Sequence, residues 1–189
     1  MCGLVGIFDT QGRREVSREL LSRMNETLHH RGPDECGLHL EPGLGLGHRR
    51  LSIIDLSTGQ QPLYNEDGSV VVIYNGEIYN YQSLMAELVG LGYAFRTRSD
   101  TEVIVHAWEA WGDACVLRFR GMFAFALWDR NRSTLFLARD RLGHVAQREV
   151  LLHRAHPDPP PRRTAARPRR VLGSAVHSRS HTGARGGGL

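Results

Sequence analysis

Lysine is absent from this 189-residue sequence, so its 24 Lys and Arg positions are all arginines. Such a composition is typical of a GC-rich coding sequence. No stretch approaches about 18 consecutive apolar residues, the length of a membrane-spanning helix, and the N-terminus lacks a basic segment followed by an apolar run. The sequence therefore predicts neither a membrane span nor a signal peptide, and we expect a cytoplasmic protein.

Cysteine is also scarce. The three cysteines, Cys2, Cys36 and Cys115, form no CxxC pair, and a reducing cytosol would keep them as thiols. We expect Cys36 and Cys115 to lie in the core. The ten histidines include no HExxH motif and no Cys/His cluster with zinc spacing, so the sequence predicts no metal site.

Charge is unevenly distributed. Residues 1–143 contain 15 arginines and 18 acidic residues, whereas residues 144–189 contain 9 arginines and 2 acidic residues, a net charge of +7. The second segment has no Phe, Trp or Tyr and contains five of the eight prolines. It does not bury enough apolar surface to offset the entropy of ordering. We therefore predict a folded domain over 2–143 and an Arg/Pro/Gly-rich tail over 144–189, disordered or out of frame.

Hydrophobic spacing in the first 143 residues predicts an α+β fold of antiparallel sheet covered by helices. Amphipathic helices are predicted over 16–29, from Asn80 to about 90–92, and after Ser99. Strands are predicted over 4–8, 38–40, 44–48, 51–56, 70–74, 122–128 and 134–138. Alternating glycines at 43, 45 and 47 lack the GxGxxG spacing of a dinucleotide-binding loop, which favours a close-packed strand.

Three local signals refine these bounds. Asn75-Gly76 favours left-handed turn geometry and predicts the end of the strand over 70–74. Asn80 is predicted to be an N-cap, and Ser99 with Glu102 has the form of a capping box.

Position 2 could carry chemistry. Removal of Met1 would leave Cys2 with a free α-amine, whose pKa is ordinarily about 7.7 to 8.0. A partly neutral amine can accept the thiol proton, and the resulting thiolate is the reactive form of cysteine. The Met-Cys-Gly start therefore indicates an N-terminal nucleophile.

Five further motifs follow in the chain: HRGPD at 30–34, RLSIID at 50–55, QPLYN at 61–65, NGEIYN at 75–80 and SDTE at 99–102. Together with Cys2-Gly3 they resemble the class II glutamine amidotransferases, and among these the glutaminase domain of asparagine synthetase. The resemblance covers residues 1–143. It implies an N-terminal nucleophile hydrolase fold, an αββα four-layer sandwich of antiparallel sheets, here incomplete at its C-terminal end.

The resemblance also implies roles for individual residues. Cys2 would be the nucleophile, and the Asn75 side chain and the Gly76 N–H the oxyanion donors. The implied substrate-binding residues are Arg50, Leu51, Ser52, Ile53, Ile54, Asn75, Gly76, Glu77 and Asp100. Among them Arg50 would bind the α-carboxylate of glutamine, with Glu77 and Asp100 near the α-ammonium.

The residues alone leave other interpretations open. Arg50 could be a surface arginine, with Arg49 beside it as a rival for its role, and Asn75-Gly76 could be an ordinary hairpin turn. Glu77 and Asp100 could be a turn carboxylate and a helix-dipole partner. The HRGPD motif is expected to shape the loop over the pocket, with His30 outside the catalytic set.

The implied reaction converts glutamine to glutamate and ammonia through a thioester on Cys2 and needs no cofactor. ATP and Mg would belong to a synthetase domain that is normally in cis and whose SGGxDSS motif is absent here. Because nothing after Gly143 resembles the family, we hypothesise a truncated or frameshifted product that is at most a glutaminase. A catalytically dead fragment, or a nucleic-acid binder using the basic tail, is the alternative.

Overall fold

The computed structural model describes residues 2–11, 14–51 and 59–143. These residues form two antiparallel sheets, three α-helices and a 3₁₀ helix. The strands are β1 (Gly3–Phe8), β2 (Glu35–Glu41), β3 (Leu44–Arg50), β4 (Leu63–Tyr64), β5 (Val70–Ile78), β6 (Gly121–Asp129) and β7 (Thr134–Arg139). The helices are α1 (Arg18–Glu26), α2 (Tyr81–Gly90) and α3 (Asp100–Trp111), with the 3₁₀ helix over Gly112–Leu117.

The first sheet has the strand order β1-β3-β2, and the second has the order β4-β5-β6-β7. All neighbouring strands are antiparallel. In the first sheet Gly3 lies opposite Arg49, so the start of β1 is beside the end of β3. In the second sheet β5 and β6 pair along their full length, from Val70 opposite Asp129 to Ile78 opposite Gly121.

An apolar layer joins the two sheets. Its buried members are Leu44 and Leu46 of β3, Val71 and Ile73 of β5, and Ala126 of β6. A larger core on the other face of the second sheet packs β5 and β6 against α2 and α3. Helix α1 contacts β1 and β3. The order of layers is therefore helix, sheet, sheet, helices, which confirms the predicted αββα sandwich.

Glycines in β3 let α1 approach the first sheet closely. Leu44 and Leu46 face the second sheet, so Gly45 and Gly47 face the opposite way, because successive residues of a strand alternate. A Cβ at Gly45 would touch Val16 and Leu21, and a Cβ at Gly47 would crowd Val5 of the neighbouring strand. The glycine repeat thus builds a close-packed strand, as its spacing predicted.

The turn predicted at Asn75-Gly76 is wrong. Strand β5 continues through both residues to Ile78, and Gly76 lies opposite Phe123. A Cβ on Gly76 would collide with the carbonyl oxygen of Met122, and its φ is +151°. Glycine is required here by the close approach of β6, which local sequence patterns do not reveal.

Helix α1 begins at Arg18 and ends at Glu26, inside the predicted range of 16–29, whereas Asn80 and Ser99 immediately precede α2 and α3 as predicted. Ser17 caps α1 by accepting the Leu20 N–H at 3.2 Å. Asn80 precedes α2 but makes no capping bond; its amide instead donates to the Arg118 carbonyl at 3.0 Å.

The predicted capping box at α3 is half correct. The Ser99 Oγ accepts the Thr101 N–H at 3.1 Å. The Glu102 carboxylate, however, accepts the N–H groups of Arg96 and Thr97 at 2.8 and 2.7 Å rather than that of Ser99. Glu102 therefore anchors the segment that leads into the helix.

Burial separates the two cysteines that were predicted to be core residues. Cys115 is buried, whereas Cys36 is exposed on β2, so the prediction for Cys36 is wrong. The strand predicted over 51–56 falls outside the described residues except at Leu51, which follows the end of β3. The tail over 144–189 is also outside them. Within the described residues no helix has the length and apolar character needed to cross a membrane.

We predict that Gly121→Ala destabilises the domain by about 2 kcal/mol or more, because a Cβ there would collide with the Glu77 carbonyl and φ is +156°. Gly90→Ala is the control, since a Cβ at this helical position meets nothing within 4 Å. It should be neutral or stabilise by up to about 1 kcal/mol. Urea denaturation measures both, and equal midpoints for the two variants would contradict the prediction.

Candidate active site

Strand alternation directs Cys2 toward the space between the sheets. Cys2 immediately precedes β1 and has the parity of Leu4 and Phe8, which pack against the inter-sheet core. The residue is partly exposed. Its carbonyl oxygen accepts the Arg31 Nε–H at 3.4 Å, so the HRGPD segment contacts the backbone of Cys2. The thiol therefore lies at one edge of the apolar layer.

Asn75 reaches the same layer from the second sheet. It shares the face of β5 that carries Val71 and Ile73, and only 7% of it is exposed. Glu77 has the same parity and is exposed. These alternations place a candidate oxyanion donor and a candidate ammonium ligand on the side of β5 that faces the strand bearing Cys2.

The backbone of Gly76 points its N–H away from β6. Tyr74, two residues earlier, donates its N–H to the Gln61 Oε1 at 2.6 Å and so does not use it on β6. Phe123, which lies opposite Gly76 on β6, uses its N–H and C=O for hydrogen bonds to Asp140 and therefore makes no backbone bond to Gly76. Since alternate strand residues direct their N–H groups to the same side, the Gly76 N–H points toward the side where β4 has ended.

Arg50, not Arg49, faces the space between the sheets. It has the parity of Leu44 and Leu46, is 7% exposed, and donates Nη1–H groups to both Glu35 carboxylate oxygens at 3.0 and 3.1 Å. The surface interpretation of Arg50 is therefore wrong. Arg49 turns the other way, pairs with Glu26 and donates to the Asn25 carbonyl at 3.3 Å.

Of the other predicted substrate-binding residues, the structure describes Leu51 and Asp100. Leu51 follows Arg50 and is half-buried, whereas Ser52, Ile53 and Ile54 lie outside the described residues. Asp100 lies in the first turn of α3, where a carboxylate is favourable to the helix dipole.

Asp100 also fastens α3 to the end of β5. Its Oδ2 accepts the Tyr74 hydroxyl at 2.6 Å and the Ile78 N–H at 3.0 Å. Burial, with the charge of Asp100, raises the pKa of Tyr74, so this phenol stays a donor. The bond to Ile78 holds the Asp100 carboxylate at the end of β5, where Glu77 is the preceding residue of the strand.

Sequence reasoning missed three side chains that support this region: Glu35, His48 and Gln61. Glu35 is the cross-strand neighbour of Arg50. His48 is a polar residue on the same face of β3 as Leu44 and Leu46, and this interruption of an apolar face could have indicated a functional residue.

His30, which was left out of the catalytic set, is exposed and bonds through Nδ1 to the Thr27 carbonyl at 3.0 Å.

One group of described side chains could in principle hold a metal ion: Glu66, His106 and Glu109. His106 lies on α3, and its Nδ1 is 3.0 Å from the Glu109 carboxylate. Burial disfavours the charged imidazole, but the carboxylates of Glu102, 3.7 Å from Nε2, and of Glu109 outweigh it and raise the pKa of His106 to about 9. A proton therefore supplies the positive charge among these carboxylates. The expectation of no metal stays a prediction.

Two solved structures are similar to this chain in fold. The glutamine phosphoribosylpyrophosphate amidotransferase from Bacillus subtilis, complexed with ADP and GMP, superposes with a TM-score of 0.56 at 20% identity, covering 72% of this chain and 37% of that chain. A structure titled as the allosteric regulatory enzyme of purine biosynthesis superposes with a TM-score of 0.59 at 21% identity, covering 74% and 37%. At this level of identity the similarities show a shared fold.

The family follows from the sequence itself. The family model described as "Glutamine amidotransferase domain" matches residues 1–146, and the chain belongs to that family. It is 48% identical over 145 residues to asparagine synthetase [glutamine-hydrolyzing] 2 of Bacillus subtilis, covering 76% of this chain and 19% of that protein. It is 43% identical over 143 residues to asparagine synthetase [glutamine-hydrolyzing] 2 of Oryza sativa subsp. japonica, covering 76% and 24%. The resemblance to asparagine synthetases is confirmed, and the chain spans about a fifth to a quarter of these relatives.

We predict that His106 stabilises the fold most at neutral or mildly acidic pH. Because its folded pKa of about 9 exceeds the ordinary 6.5, its contribution is complete below pH 6.5 and is lost as pH rises through 9. The difference in unfolding free energy between the wild type and His106→Gln should therefore shrink over this range. Urea denaturation at several pH values measures it, with exposed His30→Gln as the control. A constant difference would contradict the prediction.

Proposed function

We propose that this domain hydrolyses glutamine to glutamate and ammonia through a thioester on Cys2. The observation that carries the proposal is strand alternation: Cys2, Arg50 and Asn75 each have the parity of the residues that pack into the layer between the sheets. Each comes from a different strand or strand end. Membership in the glutamine amidotransferase domain family supports the substrate.

The proposed substrate contacts follow from the charges of glutamine. Its α-carboxylate requires a cation, and the planar guanidinium of Arg50 can donate two parallel hydrogen bonds to it. The bonds from Nη1 to both Glu35 carboxylate oxygens restrain the orientation of that guanidinium. The α-ammonium requires an anion, and Glu77 with Asp100 supplies two carboxylates at the end of β5.

The proposed first step is attack of the Cys2 sulfur on the side-chain amide carbon. The α-amine of Cys2 accepts the thiol proton, and the C=O electrons move to the oxygen. When the tetrahedral intermediate collapses, the C–N bond breaks, and the protonated amine returns its proton to the departing nitrogen as ammonia. Water then attacks the thioester, releasing glutamate and restoring the thiol.

Two donors are proposed for the oxyanion: the Asn75 side-chain amide and the Gly76 N–H. The first comes from the buried face of β5, and the second points to the side that β4 does not cover. Each such donor typically contributes on the order of 3 kcal/mol to the barrier reduction. Gly76 also has a structural role, because a side chain at this position would collide with β6.

The two relatives named above are asparagine synthetases described as glutamine-hydrolyzing, so their names combine glutamine hydrolysis with asparagine synthesis. We propose that the described domain supplies ammonia to an acceptor reaction of that kind. Its own half-reaction uses no cofactor, whereas ATP and Mg would serve only the acceptor reaction. The proposed setting is the cytoplasm, where a free thiol nucleophile stays reduced.

The decisive experiment measures glutamate release by purified, Met1-processed protein and labels it with a diazo-ketone analogue of glutamine. We expect turnover, and mass spectrometry should find the label on Cys2. Cys2→Ala should abolish both signals, whereas Cys36→Ser, which changes an exposed thiol on β2, should leave both unchanged. Soluble, processed protein that releases no glutamate and takes up no label would refute the proposed function.

A second prediction separates the two adjacent arginines. Arg50→Lys should raise the KM for glutamine about tenfold or more, because an ammonium does not reproduce the bidentate contact to a carboxylate. Arg49→Lys is the matched control, since Arg49 faces α1 and pairs with Glu26. Steady-state kinetics measure both. A similar KM for both variants would exclude Arg50 as the carboxylate ligand.

A further inference from the structure

On the side of β5 away from β6, the part that leads to the proposed oxyanion donors is held by side chains instead of a neighbouring strand. Strand β4 pairs only with Val71 and Val72. Beyond that point Tyr74 donates its N–H to the Gln61 Oε1 at 2.6 Å, and its C=O accepts a bond from the His48 Nε2 at 3.1 Å. Both backbone polar groups of Tyr74 are thus satisfied by side chains on the side that β4 does not cover.

His48 comes from the sheet that carries the nucleophile. It is 1% exposed, lies opposite Leu4 of β1, and faces the second sheet two residues before Arg50. Its own carbonyl accepts the Asn25 Nδ2–H at 3.3 Å, which ties the same residue to α1. His48 therefore hydrogen-bonds across the apolar layer, from the strand beside β1 to the strand that carries Asn75.

The chemical state of His48 is suited to this contact. Burial, with the nearby charge of Arg50, lowers the pKa of His48 to about 4, so the imidazole is neutral at physiological pH. A carbonyl oxygen accepts but does not donate, so the proton of the neutral ring must be on Nε2. A neutral donor also avoids placing a second positive charge beside the arginine proposed to bind substrate.

We propose that His48, assisted by Gln61, is a positioning residue that sets the orientation of the oxyanion donors relative to Cys2. The Tyr74 carbonyl and the Asn75 N–H belong to one planar peptide group, so a bond to that oxygen restrains the whole plane. That plane leads directly into Asn75 and then Gly76. The inference rests on the function proposed above.

The proposal requires the Nε2–H donor of His48, not only the volume of its side chain. His48→Gln retains an N–H donor on a flexible side chain, whereas His48→Met fills similar space without a donor. We expect kcat for glutamine hydrolysis to fall about thirtyfold or more in His48→Met, with the KM within about threefold, because misplaced donors weaken chiefly the transition state. His48→Gln should recover a substantial part of kcat.

Two controls separate positioning from folding. Each variant is assayed below its measured unfolding transition, and the alkylation rate of Cys2 by iodoacetamide should be unchanged, because the nucleophile itself is intact. Gln61→Met removes the second bond to Tyr74 from a half-buried surface position and should also lower kcat with little change in KM. It provides the test if His48→Met does not fold.

The outcomes are distinct. Active wild-type protein with unchanged kcat in both His48→Met and Gln61→Met overturns this inference and leaves the proposed function standing. An equal loss in His48→Gln and His48→Met shows that the donor is not what matters and also overturns it. Wild-type protein without turnover overturns both claims. Nitrogen NMR should show the proton of His48 on Nε2, and a proton on Nδ1 would contradict the geometry.

Discussion

The apolar layer between the two sheets is the constraint on which the candidate site depends. Leu44 and Leu46 from one sheet and Val71 and Ile73 from the other exclude water from this layer, and alternation along the same strands then sends Arg50 and Asn75 to its edge. A shift of register by one residue in either strand would turn these polar groups to the opposite face. Core packing and site geometry are therefore specified by the same residues.

Polar groups at the boundary of this layer are satisfied by contacts that are long-range in sequence. His48 contacts the Tyr74 carbonyl, Glu35 pairs with Arg50, and Asp100 receives both a phenol and a backbone N–H from β5. Burying such groups without partners would cost free energy. Their pairing restrains the groups around the proposed oxyanion donors, and such donors must be oriented before the charge develops.

Two glycines allow the backbones of β5 and β6 to lie close together near the candidate site. Gly76 and Gly121 lie on neighbouring strands where a side chain would strike the opposite backbone. Each therefore permits β5 and β6 to pair closely at the end that carries the candidate donors. In Gly76 the structural requirement coincides with a proposed chemical one, because an exposed N–H is accessible to substrate only where no side chain covers it.

The amino-acid pattern by itself determined most of the helices and strands, the family and the candidate nucleophile, because hydrophobic period and motif order are local properties of the chain. It did not predict the short strand β4 or the 3₁₀ helix. It failed where the outcome depended on neighbours distant in sequence. Asn75-Gly76 has the sequence of a turn, but pairing with β6 keeps it in the strand. Glu102 has the spacing of a capping partner, but it bonds to the backbone of Arg96 and Thr97. Cys36 was predicted to be a core residue, but its position in the sheet leaves it exposed. Only the tertiary structure decided that Arg50 faces inward and that His48 links the sheets, since both facts depend on strand register and layer packing.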